Sequence, residues 1–153
     1  MAARSIIVLA FAVAYGAALG QGMPPNTETE YLRTLGSGVM LDGKVTPTKI
    51  FYAITLEVRK PLPGNAVAAV RFENPDRNAA PVEAIYEPKP GETKFVIFSP
   101  GVVCIVNGRY YRAVVTLFRD RARSAILSTH EQIIAFSAPR PTLENLHVRE
   151  CGP

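Results

Sequence analysis

KIFYAITLEVR, Lys49 to Arg59, carries the clearest structural signal in the chain: Tyr52, Ile54, Leu56 and Val58 share one parity, and Thr55, Glu57 and Arg59 share the other. A period of two puts alternate side chains on opposite faces of a strand, so one face belongs to a core and the other to water. The same grammar extends in both directions. Ala66 to Glu73 reads as a second strand, set off by Pro61, Pro63, Gly64 and Asn65 and closed by Asn74-Pro75-Asp76, where proline supplies no ladder donor.

Val82 to Tyr86 ends at the Pro88 to Gly91 cluster, and Lys94 to Phe98 ends at Ser99-Pro100-Gly101. Both read as short strands. Val102 to Val106 faces Arg109 across Asn107-Gly108, a dipeptide suited to a two-residue hairpin because both central positions must accept positive φ. Tyr110 to Phe118 and Ala125 to Phe136 flank the charged reversal Arg119-Asp120-Arg121-Ala122-Arg123 and are expected to lie antiparallel. Upstream, Glu30 to Leu41 supplies one or two broken strands around Gly36-Ser37-Gly38, and Asp42-Gly43 turns the chain into the strand at Lys49. No internal helix is expected.

About seven strands, punctuated near every tenth residue, form the pattern of a two-sheet antiparallel sandwich. A small open β-barrel is the alternative. Asn107-Gly108-Arg109-Tyr110-Tyr111, running into Val114, Val115 and Leu117 and then through a hairpin into the last strand, resembles the late strands of an immunoglobulin-like domain. The resemblance implies a corner in which Tyr110 or Tyr111 bonds back through its hydroxyl. The chain departs from the antibody pattern in having no tryptophan and no cysteine in its early strands. Its Asn-Gly turn also conflicts with the crossover expected before the penultimate strand, so either the topology differs or the turn sits inside a longer connection.

At the amino terminus, Ile6 to Leu19 is almost wholly apolar, follows Arg4, and ends in Ala18-Leu19-Gly20. This reads as a secretory signal peptide over residues 1–20, with cleavage before Gln21. Residues 21–48 then form an N-terminal segment with the first strand, 49–137 the sandwich, and 138–153 a Pro-rich tail. No apolar run in the mature chain is long enough to span a bilayer, and the leader makes a secreted or periplasmic location the expectation. Two cysteines in an exported chain, Cys104 and Cys151, read most simply as one intramolecular disulfide that pins the tail to the Val102 to Val106 segment, with an intermolecular bridge or two free thiols as the alternatives. The formal charge of +4, reduced by one when Arg4 leaves with the leader, is too small for a nucleic-acid signature.

The inventory for chemistry is thin. His130 shares parity with Ile126, Ile134 and Phe136, and Ser128 and Asp120 complete a conceivable hydrolase set, but no nucleophile elbow surrounds Ser128. Cys104, Cys151, His130 and His147 lack metal-ligand spacing, so no metal is expected. Gly36-Ser37-Gly38 has no following helix to cradle a phosphate, so no cofactor is expected either. Arg119, Arg121 and Arg123 offer a contact for an anionic partner, against the simpler reading of a solvated turn. The expectation is an exported, non-catalytic module that contacts a protein or anionic envelope component through sheet edges or the Pro-rich loops at 60–66, 74–81 and 87–93, or has a structural role in the envelope. A small extracellular hydrolase or inhibitor-like accessory using His130 is the alternative.

Overall fold

A computed structural model describes residues 28–152; the leader and its cleavage point lie outside them. Seven strands form two antiparallel sheets, the sandwich expected from the sequence and not the open barrel. β1 (Leu32–Asp42), β2 (Lys49–Val58) and β5 (Lys94–Phe98) make a three-stranded sheet in the order β1-β2-β5. β3 (Val67–Phe72), β4 (Val82–Tyr86), β6 (Arg109–Phe118) and β7 (Ile126–Phe136) make a four-stranded sheet in the order β4-β3-β6-β7. The chain therefore changes sheet at β2 to β3, β4 to β5 and β5 to β6, a sandwich topology and not one continuous barrel ladder. β4 pairs with β3, whereas the fourth strand of a constant-type immunoglobulin sandwich lies in the opposite sheet.

The core lies between the inward parities. From β2 come Ile50, Tyr52, Ile54 and Leu56, and facing them are Val70 and Phe72 of β3 with Tyr111, Val115 and Leu117 of β6, all at most 1% exposed. Burial of a large apolar side chain contributes about 1.5–3 kcal/mol, so this layer is the main cohesive term. In a chain without tryptophan, Tyr52 occupies the centre, stacked on Phe72 at 5.3 Å and tilted against Tyr111 at 5.6 Å. Its hydroxyl donates to the Glu73 carbonyl at 3.1 Å, which satisfies the one polar atom of a buried ring.

Tyr111 makes the corner. Its hydroxyl donates to the Val106 carbonyl at 3.0 Å and accepts from the Val106 amide at 2.8 Å, while Tyr110 points outward and is 68% exposed. The Asn107-Gly108 expectation is corrected by the same contacts. Val102 to Val106 is not a strand, and the turn does not join two hairpin strands; it lies within the β5–β6 connection. The dipeptide is still suited to its place, since Gly108 has φ +76° and the Asn107 amide both donates to and accepts from Ala138 at 2.9 Å.

β1 is one strand, not two, with a register shift between Thr34 and Gly36. The absence of any helix is also corrected: α1 (Arg140–Asn145) forms a short turn of helix in the tail, with proline in its first turn, where a missing amide proton costs nothing. Leu143 of α1 is 3% exposed in the core. The tail beyond it runs beside Ile105, whose amide donates to Arg149 at 3.0 Å and whose carbonyl accepts from Cys151 at 3.0 Å. The expected Cys104–Cys151 disulfide closes this junction.

Candidate functional site

Both connections that carry the chain across at one end of the sandwich, from β2 to β3 and from β4 to β5, are rich in proline. Pro61 and Pro63 fix φ along the first, and a turn closes with the Ala66 amide on the Pro63 carbonyl at 3.0 Å. In the second, Pro88 and Pro90 lead to Gly91 at φ +76°. Glu92 then folds back: its carboxylate accepts the Tyr86 hydroxyl at 3.0 and 3.1 Å and the Lys89 amide at 2.9 Å. That contact adds to burial in pushing the Tyr86 pKa up. Between the two loops lies an open cleft of about 330 Å³, walled by Pro61, Leu62, Pro63, Pro88, Pro90 and Val58.

Charged side chains brace this end. Lys60 pairs with Glu30 and sits over the Tyr31 ring, and the Arg59 guanidinium donates to the Thr29 carbonyl at 3.1 Å. The β6–β7 turn is tied to the second wall, because Arg121 donates to the Glu87 carboxylate from Nε at 3.0 Å and from Nη2 at 2.6 Å. Arg123 pairs with Glu83 at 2.6 Å and lies over the Phe118 ring. Of the three arginines singled out in the sequence, two are thus engaged by glutamates of β4 and the residue after it, and Arg119 is exposed. Asp120 accepts the Ser124 amide and hydroxyl, which holds its carboxyl below the usual range.

The loop at 74–81 belongs to the opposite end, beside the disulfide. It is shaped by its own side chains, with Asn74 donating to the Ala80 carbonyl at 3.0 Å and Asp76 accepting the Asn78 amide at 2.9 Å. Two of the three Pro-rich loops therefore meet and the third does not. Glu87 and Glu92, which hold the meeting loops in shape, were not read from the sequence; Glu-Pro-Lys-Pro-Gly-Glu brackets the turn with carboxylates, and that was the available signal.

His130 points into the interior at 3% exposure. Its Nε2 shares a hydrogen bond of 2.9 Å with Thr34 Oγ1, and its Nδ1, like Ser128 Oγ, has no partner among the described residues. Burial pushes its pKa down to about 4, so the ring is neutral at physiological pH. Asp120 is occupied at the β6–β7 turn, and no hydrogen bond links it to His130 or Ser128. The three residues of the conceivable hydrolase set are not brought together. Among the described residues no cluster of three or more His, Cys, Asp or Glu could hold a metal ion, and no helix is long and apolar enough to cross a membrane.

No protein-family model, no curated protein and no solved structure matches this chain.

Proposed function

We propose that this chain is an exported, non-catalytic β-sandwich module that binds another protein through the proline-walled cleft at its loop end. The observation that carries this reading is the convergence of two conformationally restricted loops, each closed by its own hydrogen bonds, on an open cleft walled mainly by proline and edged by charged side chains. Loops already held in shape lose little freedom on binding. Exposed Lys89 lines the cleft, which favours a protein segment that sets a carboxylate beside its apolar side chains. An anionic lipid surface fits less well, since Arg121 and Arg123 are already paired with carboxylates.

Export is supported by the leader-like run at residues 1–20 and by the disulfide, which persists in oxidising compartments. The location proposed is secreted or periplasmic. A random peptide library panned against the disulfide-bonded protein is expected to enrich apolar-acidic sequences. Calorimetric affinity for these should fall roughly tenfold or more in Pro63→Asp and Lys89→Glu and stay unchanged in Arg77→Ala at the opposite end. No enrichment, equal affinity in all variants, or binding only to phosphatidylglycerol vesicles would refute the reading.

A further inference from the structure

β5 is an edge strand, and its bonds to β2 fix which of its backbone groups are spent. The Val58 amide donates to the Thr93 carbonyl at 2.8 Å and the Ser99 amide to the Tyr52 carbonyl at 2.9 Å. By the alternation of an antiparallel ladder, Phe95 and Ile97 also face β2, while Lys94, Val96 and Phe98 turn their N–H and C=O groups to the open edge. The side chains of these same residues lie on the outer face of the sheet, where Val96 is 38% and Phe98 52% exposed. Phe51 meets Phe98 edge to face at 6.0 Å, so an apolar stripe runs up to an unpaired edge. Such edges pair with further strands.

We propose that a second copy of this chain adds its β5 to this edge, antiparallel about a two-fold axis through Val96, joining the two three-stranded sheets into one. The register is set by the free groups. Val96 faces its own copy, and Lys94 faces Phe98 of the other copy, each pair exchanging two N–H···O=C bonds. In that register the strand's one charge meets an aromatic ring, a favourable cation–π arrangement, and not its own equivalent. The apolar stripe becomes continuous across the axis. Pro100 stops the pairing at one end, because it offers no donor. The remaining edges fit less well: β1 is closed against β7 by Thr34–His130 and by Ser37 Oγ on the Ile133 carbonyl, and the face of β4 carries Glu83, which is bonded to Arg123.

A five-residue strand pair buries less than a standard interface, so the dimer is weak and concentration-dependent. Sedimentation velocity of the disulfide-bonded protein from about 10 to about 500 µM should show a monomer–dimer equilibrium in this range. Val96→Lys sets two ammonium groups face to face, and Val96→Pro removes a free-edge donor without touching the ladder to β2. Both should weaken the dimer by roughly tenfold or more, while Ile85→Lys on β4 should not. Amide exchange of Lys94, Val96 and Phe98 in the unaltered chain should slow as concentration rises, which decides the matter even if a variant fails to fold. A monomer throughout the range, edge amides indifferent to concentration, or a dimer unaffected by both Val96 substitutions would overturn the proposal.

Discussion

An imidazole enclosed between two sheets stays neutral because protonation would place a charge in a medium that cannot solvate it. For His130 the consequence is a pH dependence of stability. The unfolded ring titrates near its ordinary 6.5 and the folded one near about 4, so the folded chain binds fewer protons between these values. The contribution is complete above pH 6.5, is lost as pH falls through the window, and amounts in full to about 3 kcal/mol. Urea unfolding at pH 7 and pH 4.5 should show the chain losing about 2–3 kcal/mol more than His130→Gln on acidification; equal losses would contradict the burial argument. The tyrosine corner gives a sharper contrast between neighbours. Tyr111→Phe removes the hydroxyl that bonds both the amide and the carbonyl of half-buried Val106 and should cost about 1–3 kcal/mol. Tyr110→Phe, with the ring already in water, should leave the unfolding midpoint where it is.

At the scale of elements, the tail is fastened by three separate devices. Leu143 inserts into the core, Thr48 Oγ1 donates to the Leu146 carbonyl, and the disulfide closes a separation of 47 residues. Replacing both cysteines by alanine should lower stability by about 4 kcal/mol in the chain-entropy picture, and Leu143→Ala by about 2–5 kcal/mol. Chemical denaturation with intact-mass control of the thiols measures both. If Leu143→Ala cost nothing, the helix would not be part of the fold.

Which elements were legible follows from the same physics. β2 shows its two faces in its alternation, and β4 and β5 are short apolar segments bounded by proline and glycine clusters, so each is legible to within a residue. β1 was blurred by Gly36 and Gly38, which carry no side chain to show a face, and by the register shift beside them. The helix at Arg140–Asn145 is too short to display a 3.6-residue period and depends on tertiary anchoring. Asn107-Gly108 signals a turn but not what the turn joins, because the local chemistry is the same in a hairpin and inside a longer connection. Two loops of the cleft were visible as proline clusters. Their meeting was not, since it is created by sheet changes and by contacts such as Arg121 on Glu87, separated by 34 residues.

For the molecule as a whole, the sandwich acts as a frame: two of its three sheet-changing loops are stiffened and drawn together at one end, while the disulfide and docked tail secure the other. The β5 edge is a separate surface, so a copy paired there leaves the cleft assignment to be judged independently. The central claim is that the loop end is where this protein meets its partner. Its most direct test is residue-resolved NMR of the ¹⁵N-labelled, disulfide-bonded chain during titration with a library-selected peptide. Chemical-shift changes confined to residues 58–64 and 88–93 are the predicted result. Changes centred on Lys94–Phe98, on the disulfide end or on His130, with the cleft unmoved, would contradict it.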